Sequence, residues 1–357
     1  MHMADALLAP AVAGTMYVCS TAAAGYSVKK IRIENDEKKI PVMGVMGAFV
    51  FAAQMINFSI PGTGSSGHLC GGMLLSAILG PEAAFLTMIG VLLVQCLLFA
   101  DGGLLALGAN VWNMAFYGCF IGGMLIWKYM TRKGMSRGKI IAASILGCVV
   151  TLQLGAFSVT LETLVSGITE LPFPLFAAVM QPIHLAIGLV EGLITAAVLV
   201  FLYETRPELL WNHQGNVEEK SRLSYKAVIA VLAVTTIIIG GFLSLFASSN
   251  PDGLEWSMER VAGTAELEAE GGVYTLAESV QSTTTLLPDY NWRIGESSGG
   301  TMFSGITGGI VVVIVCAAGC YILKFFRRKS LMKTDGKLKE KDFREEEKSH
   351  FEDGGKQ

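Results

Sequence analysis

The chain has 357 residues, of which 52% are hydrophobic and only 16% are charged, and its formal net charge is −3. This apolar fraction exceeds what the core of a soluble domain requires, so the composition indicates a membrane protein that is surrounded by lipid. We expect it to bind no nucleic acid. The seven cysteines show no CxxC spacing, which argues against a disulfide framework and against a zinc knuckle.

Apolar segments follow one another along almost the whole chain. They cover residues 7–27, 40–57, 68–80, 82–100, 105–127, 140–162, 179–203, 225–247 and 303–325. Most approach the roughly 20 residues that a helix needs to cross the hydrocarbon core. The segment 68–80 is short and is followed by Gly80-Pro81, which breaks a helix. Residues 68–100 therefore form either one interrupted helix or two crossings.

The charges of the connectors decide between these alternatives. Basic residues cluster within 29–39 and again within 128–139, and the positive-inside rule places both clusters in the cytoplasm. An even number of crossings must separate them, which requires the short segment to cross. We therefore predict an all-α, polytopic transmembrane helix bundle in the cell membrane, with seven helices plus two more and an extracytoplasmic amino terminus.

This topology divides the chain into four regions. They are a seven-helix membrane domain (1–205), a cytoplasmic linker (206–224), a two-helix region (225–326) with an acidic extracytoplasmic loop (249–302), and a charged cytoplasmic tail (327–357). The acidic loop either attracts cations or is an ordinary solvated connector. Because the first ten residues lack the basic segment of a signal peptide, we expect Met1 to be retained.

The first two residues supply a candidate metal chelate. The amine of Met1, the deprotonated backbone nitrogen of His2 and the imidazole of His2 can surround one ion with three coplanar nitrogens. His68 is the candidate fourth donor, because the topology puts it at the external end of its helix, after a stretch rich in glycine and serine. Four nitrogens in a square favour Ni(II) or Cu(II) over zinc and magnesium. Alternatively, His2 merely follows the start codon and His68 caps a helix.

Several polar residues lie in or beside the apolar segments. Gln54 and Asn57 share a helix face just before the external loop, where they either orient a ligating histidine or join neighbouring helices. Asp101, with two glycines after it, predicts an external turn near the entrance to the site. His184 and Glu191 lie seven residues apart on one helix face, and we expect a structural pair rather than a second ion site.

Four separated stretches resemble one family of transporters. They are Met1–Pro10 (MHMADALLAP), Ala52–Phe58 (AAQMINF), Ser66–Gly72 (SGHLCGG) and 101–110 (DGGLLALGAN). In this order they closely resemble CbiM/NikM, the substrate-binding membrane component of nickel/cobalt energy-coupling-factor transporters. The resemblance covers residues 1–205. Farther along, Asn250–Trp256 (NPDGLEW) resembles the small two-helix accessory component CbiN/NikN, here fused to the carboxyl end.

The resemblance implies a function in metal uptake. It implies that the amine of Met1, the amide and imidazole of His2, and the imidazole of His68 bind Ni²⁺ or Co²⁺, with a slight preference for nickel. It implies no cofactor beyond the transported ion, and a transmembrane coupling subunit and ATP-binding subunits as partners. The chain contains no G-x-x-x-x-G-K-[ST] phosphate loop, so we expect those partners to hydrolyse ATP and this chain to be no enzyme.

Two other classes of protein remain open at this point. In the first, His68 and His184 bind haem and the chain carries electrons, which requires two histidines on facing helices at matching depth. In the second, the chain is a passive channel or a structural membrane protein, for which Met1 and His2 have no role. Visible absorbance and metal binding distinguish these classes.

Overall fold

The computed structural model describes residues 1–31, 39–213, 223–293 and 298–353, most of them in helices. This confirms the predicted all-α class. Parts of four predicted features lie outside the described residues. They are Arg32 and Lys38 of the first basic cluster, residues 214–222 of the linker 206–224, residues 294–297 of the acidic loop and residues 354–357 of the tail.

The described residues form eleven helices, two of which contain π-helical turns. In chain order they are α1 (Pro10–Lys30), α2 (Lys39–Gln54), α3 (Gly72–Leu79), α4 (Pro81–Phe99), α5 (Leu107–Thr131), α6 (Arg137–Ser166), α7 (Phe173–Thr205), α8 (Tyr225–Gly241), α9 (Gly253–Ala262), α10 (Gly272–Thr284) and α11 (Ser298–Asp353). The last turn of α4 and most of α5 have π-helical hydrogen bonds. Two strands, β1 (Phe58–Ile60) and β2 (Ser65–Gly67), pair antiparallel with Ser59 opposite Ser66.

Five of the described helices, α4, α5, α6, α7 and α11, are long and apolar enough to cross a membrane. Helices α2 and α8 are apolar but shorter. These spans support the predicted multi-pass membrane protein. The nine crossings and the extracytoplasmic amino terminus stay predictions.

The predicted break between two helices lies at Gly80. This glycine has a φ of +80°, which residues with a side chain rarely adopt, and Pro81 begins α4. Helix α3 has only eight residues and therefore extends only about 12 Å. Residues 68–71 before it are not helical, so the helical part is shorter than the predicted segment 68–80. Such backbone is tolerated in a membrane protein where other protein groups bury it and bond to it.

The carboxyl-terminal helices pack directly on the first part of the chain. Helix α11 lies against α2 and α4, and α8 lies against α2. Helices α8 and α11 approach each other closely, since a Cβ added to Gly305 would lie 2.0 Å from the carbonyl oxygen of Gly240. Small residues at such crossings let helix backbones come into contact within a membrane. The segment between α8 and α11 is thereby brought back to the end of the bundle where Met1 lies.

Candidate metal site

The amino-terminal segment is folded into the bundle. Met1 and Met3 are buried. The carboxamide of Asn110 in α5 holds Met3 from both sides, accepting a hydrogen bond from its amide nitrogen (2.7 Å) and donating one to its carbonyl oxygen (3.1 Å). The amide of Gly103 donates to the same carbonyl oxygen (2.9 Å). These bonds hold the backbone directly beside Met1 and His2.

The structure brings the three predicted ligand residues together. The amine nitrogen of Met1 lies 3.2 Å from Nε2 of His68. The imidazole rings of His2 and His68 stack with their centroids 5.2 Å apart. Neighbouring donors of a square site with bonds of about 2.0 to 2.1 Å lie about 2.9 Å apart. The amine and His68 are therefore already close to the spacing that one ion requires.

His68 presents one nitrogen to this space and uses the other to hold its position. Its Nδ1 lies 3.1 Å from the carbonyl oxygen of Leu69. A proton on Nδ1 that is donated to this oxygen leaves the lone pair of Nε2 directed at the amine of Met1. Metal-binding histidines commonly have their second nitrogen held in this way.

Glu191 in α7 holds the nonhelical backbone that follows His68. Its carboxylate accepts hydrogen bonds from the amides of Cys70 (3.0 Å) and Gly71 (2.9 Å). The side chain of Gln54 donates to the carbonyl oxygen of Cys70 (2.9 Å). These side chains replace the hydrogen bonds that a helix would have supplied, and they fix the loop that carries His68.

A pair of buried glutamines connects this loop with His2. Gln95 in α4 donates to Oε1 of Gln54 (2.9 Å), and its own Oε1 lies 3.3 Å from Nε2 of His2. Gln95 was not predicted as a site residue, although an isolated polar residue within an apolar segment is a recognisable signal. Asn57 lies outside this connection, and its carbonyl oxygen accepts a hydrogen bond from the amide of Ser248 (2.7 Å).

Asp101 contacts His2 from the other side. Nδ1 of His2 donates to Oδ1 of Asp101 (3.1 Å), and the hydroxyl of Tyr290 donates to the second carboxylate oxygen. Burial lowers the pKa of His2 to about 4, although the charge of Asp101 acts in the opposite direction. The imidazole is therefore neutral at neutral pH, as a metal ligand must be. An ion that binds Nδ1 replaces Asp101 at that nitrogen.

Asp252, which sequence analysis did not assign to the site, contacts the amine. Its Oδ2 lies 2.6 Å from the nitrogen of Met1 and 3.8 Å from Nε2 of His68. Its Oδ1 accepts hydrogen bonds from the amides of Leu254 (2.8 Å) and Glu255 (2.9 Å) at the start of α9. The D-x-x-E spacing of this capping box was a readable signal for a helix start. It carried no information about where that helix packs.

The amine and Asp252 form an ion pair. Burial is the largest single influence and disfavours both charges, but their mutual attraction, the hydrogen bonds and the other charges nearby together outweigh it. The carboxylate raises the pKa of the Met1 amine, and the amine holds the pKa of Asp252 well below its usual range. The amine is therefore protonated in this structure, and it must release a proton before it binds an ion.

His184 and Glu191 do not bond to each other in the structure. Nδ1 of His184 lies 2.8 Å from the carbonyl oxygen of Met180, and Nε2 has no hydrogen-bond partner within the described residues. With Met1 and His68, His184 lines a cavity of about 10 Å³, enough for about one water molecule. The two residues thus have separate roles in place of the predicted pairing, and the space between His68 and His184 is far too small for haem.

A cavity of about 650 Å³ adjoins His2. We call it the acidic vestibule, because carboxylates line it: Asp5, Asp101, Asp252, Glu255, Glu268, Glu270, Glu278 and Asp289. Most of them belong to the predicted acidic loop 249–302. Since carboxylates gathered around one cavity concentrate cations, this arrangement favours cation attraction over the interpretation of the loop as an ordinary connector.

The candidate site depends on backbone nitrogens. Among the described residues, no three histidine, cysteine, aspartate or glutamate side chains lie close enough together to hold an ion by themselves. The imidazoles of His2 and His68 therefore need the amine of Met1 and the amide of His2 to complete a donor set.

Replacing Glu191 by glutamine tests the role of the loop after His68. The glutamine keeps the size of the side chain, but it offers one oxygen where the carboxylate accepts two amide hydrogen bonds. We expect metal affinity to fall by about tenfold, as for other residues that support a ligand. Calorimetric titration measures the loss, with Glu204→Gln near the opposite end of α7 as the matched control. Unchanged affinity in Glu191→Gln would show that the loop holds His68 without this carboxylate.

Comparisons with known proteins match two families to the chain. Residues 2–209 match a family described as the cobalt uptake substrate-specific transmembrane region, CbiM, and residues 226–325 match the PDGLE domain. A putative fused nickel transport protein, NikMN, from Archaeoglobus fulgidus is 34% identical over 92% of this chain and 99% of its own length. The similarity therefore extends across both parts.

Other relatives are similar mainly to the first part. A cobalt transport protein CbiM from Geobacter sulfurreducens is 29% identical over 59% of this chain and 61% of its own length. A crystal structure described as a truncated transition metal transporter is 31% identical and superposes with a TM-score of 0.51, covering 57% of this chain and 99% of that one. These relatives are described as transport proteins and not as catalysts.

Proposed function

The chain belongs to the CbiM family of cobalt-uptake transmembrane proteins and carries a PDGLE domain after it, and from this we propose that it captures Ni²⁺ or Co²⁺ for import. The observation that carries the proposal is the meeting of the Met1 amine with the imidazoles of His2 and His68 in a buried site. The amine lies 3.2 Å from Nε2 of His68. The same residues would have no reason to be gathered in a passive channel or in a purely structural protein.

The donor set favours nickel. The amine of Met1, the backbone nitrogen of His2, the imidazole of His2 and Nε2 of His68 supply four nitrogens, and such a set in a square suits Ni(II). The ion displaces one proton from the amine and one from the amide of His2. Binding therefore removes the positive charge of the amine as it brings in the charge of the ion.

The acidic vestibule supports a route into the site. Its carboxylates attract a hydrated cation toward His2, and Asp101 belongs both to the wall of the vestibule and to the contacts of His2. In the proposed topology, residues 1–205 form the seven-helix binding domain with its amino terminus outside. Residues 225–326 form an accessory region that covers the site, 206–224 link the two, and 327–357 form a cytoplasmic tail.

Import requires partner proteins in this proposal. The chain has no phosphate-binding loop, so the energy comes from ATP-binding subunits that act through a transmembrane coupling subunit, as in energy-coupling-factor transporters. In this scheme the chain is the component that selects and holds the ion. It needs no resident cofactor beyond the transported ion.

Titration of the purified full chain with NiCl₂ and CoCl₂ tests the proposed function. The mass of the intact chain first establishes that it begins at Met1. We expect high-affinity binding of one equivalent of nickel, weaker binding of cobalt, and no competition from a large excess of Mg²⁺, which prefers oxygen ligands. Absence of binding of both ions to a chain that begins at Met1 would overturn the proposal.

A further inference from the structure

The carboxylate of Asp252 occupies the space in front of the proposed nitrogen donors. We propose that Asp252 is itself a metal ligand, in a loading complex where the amine of Met1, Nε2 of His68 and Oδ2 of Asp252 hold the ion. The backbone nitrogen of His2 then replaces the carboxylate to give the final four-nitrogen site. This inference rests on the proposed function and assigns a chemical role to the PDGLE segment.

The three donor atoms already surround a position for one ion. The amine nitrogen lies 3.2 Å from Nε2 of His68 and 2.6 Å from Oδ2 of Asp252, and the last two atoms lie 3.8 Å apart. The circle through three atoms at these distances has a radius of about 1.9 Å, so an ion can lie about 2.0 to 2.1 Å from all of them. These are the lengths of bonds from divalent metals to nitrogen and carboxylate oxygen. No displacement of the backbone is needed.

The position of Asp252 in this triangle explains why it can be replaced. Its oxygen lies beside the amine and across from His68, which is the position of the His2 backbone nitrogen in a square site. A carboxylate offers its lone pair at once, whereas a backbone amide must first lose its proton. The loading complex therefore needs only the proton of the amine to leave, to water. The amide proton leaves later, also to water, as its nitrogen bonds to the ion and the bond from the ion to Asp252 breaks.

The protein holds Asp252 in place through its neighbours. The carbonyl oxygen of Pro251 accepts a hydrogen bond from the amide of Ser66 in β2 (2.8 Å), and the indole of Trp256 donates to the carbonyl oxygen of Thr63 (3.1 Å). The segment is therefore bonded to the β1–β2 hairpin on both sides of Asp252, and this hairpin leads directly to His68.

Gly253 brings the segment close to the bundle. A Cβ at this position would lie 2.8 Å from Cδ1 of Ile187 and 3.0 Å from Cε1 of His184. A side chain there would push Asp252 away from the amine. Each residue of the Pro-Asp-Gly-Leu-Glu segment thus has its own contact. The carbonyl oxygen of Pro251 bonds to Ser66, Asp252 contacts the amine of Met1, and Gly253 lies against α7. Leu254 is buried, and the carboxylate of Glu255 accepts a hydrogen bond from the amide of Asp252.

Asp252→Asn separates the ligand role from the structural role. Asparagine is as good as aspartate at a helix start, so α9 keeps its cap through Oδ1, but the NH₂ group that takes the place of Oδ2 has no free lone pair to bind an ion. We expect the association of NiCl₂ with the full chain, followed by stopped-flow absorbance at 0.15 M salt, to become at least tenfold slower. Asp252→Glu, which keeps the carboxylate, should recover part of the rate.

Glu259→Gln is the matched control. It removes the same charge from the same helix at an exposed position away from the site. Its association rate should stay within twofold of that of the native chain, since long-range effects of charge are screened at this salt concentration. An unfolding temperature close to the native value establishes that Asp252→Asn is folded.

A second variant isolates the loading complex. In His2→Ala the final square cannot form, while the three donors of the loading complex remain. We expect weak binding of nickel, an oxygen ligand in the X-ray absorption spectrum, and loss of this binding by more than tenfold in the double variant His2→Ala/Asp252→Asn.

Three results would overturn the inference or its basis, and they differ from one another. Faster association in Asp252→Asn would make the carboxylate a blocking counterion, and equal binding by His2→Ala with and without Asp252 would remove it as a ligand. Either of these results leaves the proposed function in place. Failure of the native chain to bind nickel or cobalt would instead end the proposed function.

Discussion

A chain extended by two residues before Met1 will lose nearly all of its high-affinity nickel binding. The extension moves the amine away from His68 and leaves an ordinary peptide bond at Met1, so the amine and its chelate with the His2 amide are both lost. Four-ligand structural zinc sites bind with about 10–16 kcal/mol, or about 3 kcal/mol for each donor. Two lost donors therefore cost about 6 kcal/mol, roughly a ten-thousandfold loss of affinity.

The extension must have two residues and not one. A single added residue would make His2 the third residue, and an amine, two amides and an imidazole from three successive residues already form four nitrogens around nickel. Such a chain would bind without His68 and would conceal the loss. Calorimetry with NiCl₂ measures the effect, and the same two residues added after Gln357 provide the control. Native affinity in the amino-terminal extension would exclude the amine as a ligand.

His68→Ala will lower nickel affinity by about a hundredfold. This change removes one of four donors and costs about 3 kcal/mol. The amine and both nitrogens of His2 remain, so weaker binding should persist. The buried space left by the ring should accept free imidazole, and millimolar imidazole should restore part of the affinity, which a purely structural role of His68 does not predict.

His213→Ala is the control for the loss of a histidine. His213 follows α7 on the predicted cytoplasmic side of the chain, away from the site. Its replacement should leave the titration curve unchanged. If His68→Ala binds nickel as tightly as the native chain, then the 3.2 Å contact between the amine and His68 has no role in binding.

The apolar segments and the helix break could be predicted because they depend on short stretches of sequence. A run of apolar residues has to be helical in a bilayer, where each backbone polar group needs a partner within the protein. Gly80-Pro81 ends one helix and begins another through its own backbone geometry. The chelate of Met1 and His2 is also local, since all of its donors belong to adjacent residues.

The meeting of His2 and His68 required the predicted topology in addition. Counting crossings from the basic connectors placed both residues at one face of the membrane, which stays a prediction, and the structure stacks the two imidazoles at one end of the bundle. The count could not give a distance. It also could not show that residues 68–71 leave the helix, because this depends on the carboxylate of Glu191, which lies more than a hundred positions away along the chain.

His184 and Glu191 illustrate the limit of helix periodicity. Their spacing places them on one face of α7, as predicted, but it does not choose between a bond within that helix and bonds to the loops packed against it. The amides of Cys70 and Gly71 had no helical partner, and an unpaired buried amide is costly. Glu191 bonds to them, and His184 turns toward the carbonyl oxygen of Met180.

The membrane class, the positions of most helices and the break at Gly80 could be predicted from the sequence alone, and the resemblance to the CbiM/NikM family proposed Met1, His2 and His68 as ligand residues. The first three follow from composition and local backbone geometry, whereas the ligand proposal needed the topology and the family resemblance as well as the adjacent donors of Met1 and His2. Only the tertiary structure decided that Gln95 reaches His2 and that Asp252 meets the amine of Met1. Met1 and Asp252 are 251 positions apart along the chain, and their contact depends on how α8 and α11 pack against α2 and α4. No local pattern encodes that packing, because it results from the fit of whole helix surfaces.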